Sequence, residues 1–456
     1  MTIAISERKS TTLIEICKRI FSLAVPMAST QLINVASGFL CMAMLAHLGG
    51  QVLAASALIY STQLSIMVTG MSVLFSLSVL VGHAYGGNKY LSIGNYVQQS
   101  WTLGLLISIP MMIFFWEIKP ILIFFGQAPP IAEIVQTFFH AFVWAVIPGL
   151  LSTCNQQFGY GIHKKILIIS TSLMSVIVLL ITSYVLIFGK YGFPHLGVAG
   201  LGYGLAAQYA FFFIFTTVFF YVEKSFDKYE LFRYRVHQHM DHFKEMFKIG
   251  WPISVQMGGE VLSLFVTGIM VGWLGTKALA AYQIINQYYF LALIPLFSLS
   301  QASGILVGQA NGAKKFHEIK QLGYASLVLT VAVTLGVMAL FAFIPQYLAS
   351  VYIDIHDPQN TEVLKLTTII FLIAGFSLIF DGIRNIFIGA TRGLFDTKFP
   401  MYMGLIAIWI IGMPLAYLLA FTFHVGIAGI MLGGLVSMIV GALIMLYRWH
   451  TLSSKY

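Results

Sequence analysis

Two carboxylates stand where carboxylates are costly. Glu260 lies near the middle of an otherwise apolar stretch, 249–274, and Asp381 lies inside another, 361–391. Of the 16 acidic residues, only these two fall well inside hydrophobic runs. A charge in hydrocarbon is retained when it is paired, hydrated or functional, so both are candidate functional groups. Asp381 precedes Arg384 by three residues, a spacing that allows an ion pair on one helical face. Two readings stay open. Asp381 and Arg384 form a structural pair, or Asp381 joins Glu260 in one cavity, where the carboxylates share a proton, bind a sodium ion or attract a cationic substrate. A sodium ion prefers several hard oxygen ligands, which the two acids would supply, whereas a proton needs only one carboxylate.

Polar side chains recur on the next apolar run. Gln283, Asn286 and Gln287 follow helical spacing beside Tyr282, Tyr288, Tyr289 and Phe290. Such a mixed surface suits lipophilic cations through cation–π and dipole contacts. Amides also hydrogen-bond neighbouring membrane helices, and that reading stands beside the first. Gln31 and Asn34, in the first apolar run, face the same choice as substrate contacts or interhelical links.

The elements that must carry these residues follow from composition. The chain has 456 residues, 59% of them hydrophobic and 9% charged, with a mean hydropathy of +0.87. Apolar stretches long enough to span roughly 30 Å of hydrocarbon recur about twelve times. The expected fold is an all-α polytopic membrane protein of twelve transmembrane helices. The first run is too long for a signal peptide, lacks a small-residue cleavage site, and is expected to remain as the first helix.

Basic residues set the orientation. With a cytoplasmic amino terminus, 20 of the 25 fall on the cytoplasmic side, only Lys119, Lys190 and Lys277 fall outside, and Lys365 and Arg384 lie within a span. That asymmetry predicts both termini inside. The net charge of +9 therefore reads as topology, and nucleic acid is not expected as a partner. Cys17, Cys41 and Cys154 lie in or beside hydrophobic runs without metal-ligand spacing, so neither a disulfide framework nor a zinc site is expected.

An internal repeat organises the spans. At an offset of 226 without gaps, Pro26 falls on Pro252, Leu48 and Gly49 on Leu274 and Gly275, and Val81, Gly82, Ala84 and Gly86 on Val307, Gly308, Ala310 and Gly312. Between positions 26 and 89 there are 18 identities in 64. The chain therefore reads as two pseudo-symmetric six-helix bundles. Six spans return the chain to its starting side, so the bundles are parallel repeats about an axis along the membrane normal. The expected segments are a cytoplasmic amino-terminal stretch at 1–19, bundles at 20–221 and 249–447, a charged cytoplasmic linker at 222–248 and a tail at 448–456. Two such bundles around a cleft can rock between openings, with binding groups near the midplane. There the halves differ, because Asn34 lies opposite Glu260 in the repeat.

Several longer pieces complete the pattern: Pro252 with Glu260; Ala280-Ala281-Tyr282-Gln283-Ile284; Gly308-Gln309-Ala310-Asn311-Gly312; and Asp381 leading to Thr391-Arg392-Gly393, Asp396-Thr397 and Pro400. Gly192, Pro194 and Leu196-Gly197 fit between spans five and six. In these residues, over nearly its whole length, the chain resembles the multidrug and toxic compound extrusion family, most closely its NorM-like branch. The resemblance implies a monomeric antiporter of the bacterial inner membrane that expels cationic or amphipathic organic compounds in exchange for sodium ions or protons, without a cofactor. It also marks departures. Cys41 stands where the branch usually carries an acid in helix one, Leu179 and Ser183 replace amides in helix five, and Ser377 stands where some relatives have a tyrosine. The resemblance thus shifts the expected cation site to Glu260 and Asp381, with Ser377 as an additional hydroxyl ligand.

Other motifs are set aside. Phe158-Gly159-Tyr160-Gly161 lacks the Thr-Val of a potassium filter, and the glycines from Gly197 to Gly204 open an apolar helix with no strand before it. His237, His239 and His242 read as a solvated loop rather than a metal site. An exporter of lipid-linked precursors remains an alternative, against which stand deep charges that are mainly acidic. An intramembrane enzyme is disfavoured because no His-Glu-x-x-His, Gly-x-Gly-Asp or paired-aspartate phosphate motif occurs.

Overall fold

The computed structural model describes residues 13–233, 239–355 and 357–455. Twelve helices among these residues are long and apolar enough to cross a membrane. In chain order they are α1 (Leu13–Ala46), α2 (Gly50–Gly86), α3 (Tyr90–Trp116), α4 (Pro129–Gly161), α5 (Lys165–Phe188), α6 (Val198–Val222), α7 (Met240–Trp273), α8 (Thr276–Gly312), α9 (Phe316–Phe343), α10 (Pro358–Gly393), α11 (Lys398–Thr422) and α12 (Ile427–Ser453). Uninterrupted apolar sequence makes these segments helical, since a helix satisfies every backbone group internally where water is absent. At 1.5 Å per residue, α2 and α8 are each about 55 Å long, well beyond the roughly 30 Å hydrocarbon layer.

Prolines modulate several helices without ending them: Pro26 in α1, Pro252 in α7, Pro148 in α4 and Pro295 in α8. In α11 the chain widens into π-helical turns over Ile406–Gly412 and again over Leu418–Thr422. Pro414 lies just after the first of these, and its missing N–H breaks the α-helical ladder there.

The repeat read from sequence is expressed in backbone geometry. Gly49 and Gly275 adopt φ of 116° and 102°, and Asn88 and Lys314 adopt φ of 55° and 56°; each pair is separated by 226 residues. The α2–α8 crossing repeats as well. A Cβ on Gly86 would lie 2.1 Å from the Gln309 carbonyl oxygen, and one on Gly312 would lie 1.9 Å from that of His83. His83 and Gln309 are themselves repeat-related, so the pseudo-two-fold axis passes through this crossing. Only glycine allows backbones to meet so closely. Gly312→Ala is expected to force the helices apart and lower the unfolding temperature, at a cost of about 1–3 kcal/mol. Gly336→Ala is the matched control, because nothing lies within 4 Å of its added methyl. Equal unfolding temperatures for the two variants would contradict the close crossing.

The bundles also join through side chains. Arg19 pairs with Glu318 at 3.2 Å, Tyr96 donates to Glu245 at 2.6 Å, Ser254 donates to the Thr69 carbonyl at 2.7 Å, and Gln309 donates to the Gly161 carbonyl at 3.1 Å. Phe75 and Phe297 meet edge to face at 6.0 Å. Every one of these residues lies in the helix halves nearest the basic loops, so these contacts fasten the bundles at that end.

The segment between the bundles departs from a solvated linker. A 3₁₀ turn over Lys224–Tyr229 buries Phe226 and Tyr229, and Leu231 is buried after it. Helix geometry already begins at His239. His237 lies outside the described residues, His239 and His242 open a helix, and no cluster of three metal-ligating side chains occurs among the described residues. His242 instead meets Tyr96 edge to face at 4.7 Å.

Candidate functional site

The site is built on α7, α8 and α10. Close packing of α8 on α10 comes first, because it sets the depth at which their polar residues meet. A Cβ on Gly389 would lie 2.1 Å from the Ser300 carbonyl oxygen, and one on Gly393 would lie 2.6 Å from that of Gly304. Ser300 donates to the Asn385 carbonyl at 2.6 Å and locks the register. In that register the Tyr289 hydroxyl donates to Asp381 Oδ2 at 3.3 Å.

Arg384 links the two acids. Its Nη2 and Nε donate to Asp381 Oδ1 at 2.9 and 3.1 Å, and its Nη1 donates to Glu260 Oε1 at 2.8 Å. Asn385 Nδ2 adds a third donor to Asp381 Oδ1 at 2.8 Å, and Gln256 Nε2 a second to Glu260 Oε1 at 3.1 Å. Arg392 extends the chain of contacts, donating to Gln256 Oε1 at 3.2 Å. The Asp381 and Arg384 side chains are 6% and 4% exposed, and that of Glu260 is 21% exposed. Charges this deep persist because Glu260 and Asp381 both pair with Arg384 and accept further hydrogen bonds from neighbouring amides. Two carboxylates face two guanidinium groups, so the cluster is formally neutral.

The structure therefore resolves the two readings of Asp381 into a single arrangement. The Asp381–Arg384 pair exists, and the same guanidinium reaches across to Glu260 on another helix. Glu260 and Asp381 belong to one cluster but are bridged rather than in direct contact. Arg392, which the orientation count places among cytoplasmic charges, is buried in the last turn of α10. The deep charges are thus balanced rather than mainly acidic, so the argument against a lipid-linked cargo loses its basis in charge.

A cavity of about 140 Å³ opens beside the cluster, lined by Ser263, Thr267, Tyr282, Asn286, Tyr289 and Ser377 among others. Tyr289 belongs to both, lining the cavity while holding Asp381. The amino-terminal bundle contains a second cavity of about 230 Å³, lined by Asn34, Ser37, Cys41, Tyr60, Gln63 and Gln208 among others. Subtracting 226 from Ser263, Thr267, Asn286 and Tyr289 gives Ser37, Cys41, Tyr60 and Gln63, so the cavities are repeat images of each other. Among the described residues, no charged side chain lines either one; in the carboxyl-terminal bundle the charges lie behind Tyr289.

The expected site residues divide accordingly. Tyr282 and Asn286 line the carboxyl-terminal cavity, whereas Gln283 and Gln287 are exposed on another face of α8. Ser377 lines the cavity, but its hydroxyl donates to the Ile373 carbonyl at 2.9 Å, within its own helix. Asn34 lines the amino-terminal cavity, and Gln31 is half-buried outside it. Gln256 and Asn385 are cluster members not singled out from sequence, whereas Tyr289 is named there only as part of an aromatic surface and Arg392 only within a motif. The signal for two of them was present, because Gln256 and Asn385 stand one helical turn from Glu260 and Asp381.

Comparison with known proteins gives consistent matches. The MatE family model matches residues 26–185 and 252–418, two blocks whose starts are separated by the repeat offset. A "Probable multidrug resistance protein NorM" of Synechocystis sp. is 30% identical over 439 residues, covering 95% of this chain and 94% of that protein. Its namesake from Rhizobium meliloti is 30% identical over 435 residues, covering 94% and 92%. Among solved structures, a mutant of the Vibrio cholerae MATE transporter VcmN superposes with a TM-score of 0.87 at 16% identity, covering 98% of this chain and 99% of that one.

Proposed function

The chain belongs to the MatE family, and from that membership we propose that it is a secondary antiporter expelling cationic or amphipathic organic compounds in exchange for sodium ions or protons. Members of this family are membrane transporters, not enzymes. The observation that carries the coupling assignment is the convergence of Glu260 and Asp381 on one guanidinium, buried beside a cavity within the carboxyl-terminal bundle.

The moving units are the bundles at 20–221 and 249–447, joined by the segment at 222–248. Their contacts at the basic end support a state that opens toward the opposite side, which is the outside by the distribution of charge. In this reading a sodium ion or proton neutralises the carboxylates in the outward-open state and lowers their affinity for a cationic substrate. Release of that ion in the inward-open state restores the affinity. Antiport requires only that two ligands compete for the same negative charge. Tyr282 and Asn286 are the substrate-facing groups of the cavity, with Asn34 in the matching position of the amino-terminal bundle. The ring of Tyr282 offers a cation–π surface and the Asn286 amide a dipole.

The test is transport by purified protein in liposomes with sodium and proton gradients imposed separately. A fluorescent organic cation should move against its own gradient when at least one ion gradient is present, and stop when both are collapsed. Movement that is unchanged without either gradient would overturn antiport.

A further inference from the structure

Arg384 occupies the space that a free cation would need. Asp381 Oδ1 already accepts three donors, two of them from Arg384, and Glu260 Oε1 accepts two, one of them from Arg384. A carboxylate pair binds a sodium ion by presenting several oxygen lone pairs to one point. Here the oxygens that face each other across α7 and α10 are turned toward a planar, permanently charged fork.

A neighbouring helix is shaped to admit that side chain. Gly441, on α12, leaves room for its aliphatic stem, since a Cβ there would lie 2.8 Å from Arg384 Cδ. Gly404, on α11, borders the head group, where an added Cβ would make an ordinary contact 3.9 Å from Nη1. A glycine on a further helix, Gly441, thus accommodates the arginine, in addition to the two acids that bind it. Burial of the side chain to 4% exposure leaves it no alternative partner in water in this state.

We propose that Arg384 is a tethered counter-cation that determines ion specificity: its guanidinium holds the place between Glu260 and Asp381 and excludes sodium until it is withdrawn. This rests on the reading of the cluster as the coupling site and narrows it. A sodium ion gains its ligands only in the fraction of molecules whose arginine has left, and its apparent affinity falls by that fraction. An organic cation that reaches the carboxylates must likewise displace the guanidinium, which re-forms the pair when the cation departs.

The test is equilibrium sodium binding to purified, full-length protein, read as sodium-specific thermal stabilisation against choline at equal ionic strength. This readout needs no transport, so it separates the inference from the antiport assignment. Wild type and Arg384→Lys are expected to show no sodium-specific shift at physiological sodium. Arg384→Gln is expected to acquire one, with an apparent affinity about tenfold or more above wild type. Gly441→Ala crowds the arginine stem without removing any charge, and it should raise sodium affinity in the same direction. If Arg384→Gln does not fold, Gly441→Ala and the wild-type titration decide. Saturable, sodium-specific stabilisation of wild type, or variants that bind sodium no better than wild type, would overturn the proposal.

Discussion

Glu260→Gln is expected to abolish ion-driven efflux while leaving a folded protein. The amide keeps an oxygen for Arg384 Nη1 and a shape close to the carboxylate, so the hydrogen-bonded frame around 2.8 Å survives. What disappears is one negative charge in a cluster that is formally neutral, leaving Asp381 against Arg384 and Arg392. Two unit charges 4 Å apart interact by about 4 kcal/mol at an effective dielectric of 20, and half of that already corresponds to roughly a 30-fold loss in cation affinity. The measurement is gradient-driven uptake of a fluorescent cation into liposomes, alongside the unfolding temperature in detergent. Efflux that remains coupled to an ion gradient in this variant would remove Glu260 from the mechanism.

Asp381→Ala is expected to produce the largest loss of stability. Its carboxylate holds Arg384 through two hydrogen bonds, and Asn385 and Tyr289 through one side-chain contact each. Removing it leaves an almost completely buried guanidinium with Glu260 as its remaining carboxylate partner. Breaking a buried pair from one side costs about 3–5 kcal/mol, because the remaining charge keeps its desolvation penalty; the contact that Arg384 keeps with Glu260 places this variant toward the lower end. The double variant Asp381→Ala/Arg384→Ala should be less destabilised than Asp381→Ala alone, since it removes the half-compensated buried charge and leaves Glu260 with Gln256 and partial exposure. Thermal unfolding of the two variants beside wild type decides this. A double variant that unfolds lower than Asp381→Ala would show that the arginine stabilises by packing rather than by its charge.

The contrast between Glu260 and Arg384 shows how far sequence carries. Asp381 and Arg384 are three residues apart on one helix, so their pairing follows from local spacing. Glu260 and Arg384 are separated by 124 residues, and no local pattern links them. Their contact depends on tertiary packing: α10 is held against α8 at the seam of Gly304 with Gly389, and the long arginine side chain spans the remaining distance to α7. Arg392 illustrates the same limit. As a basic residue at the end of an apolar run it counts as a loop charge, yet the final turn of α10 carries it into contact with Gln256.

The division among Gln283, Asn286 and Gln287 has a similar origin. Helical spacing places them near one another, but only packing against α7, α11 and α12 selects the Tyr282, Asn286 and Tyr289 face as the cavity wall. The cavity in the other bundle was likewise not visible in advance. Once both are located, their repeat relation follows directly from the offset of 226 between Ser37 and Ser263 or Tyr60 and Asn286.

Sequence by itself determined the class of molecule, the twelve helices, the two-fold internal repeat, the family resemblance and the two buried acids. Each of these depends on composition, length or periodicity along the chain, because hydrocarbon admits few backbone solutions and makes every buried charge conspicuous. Tertiary structure alone decided which groups face those acids. Electrostatic pairing acts through space at about 3 Å, and the distance between Arg384 and Glu260 is fixed by how closely helices remote in sequence can approach.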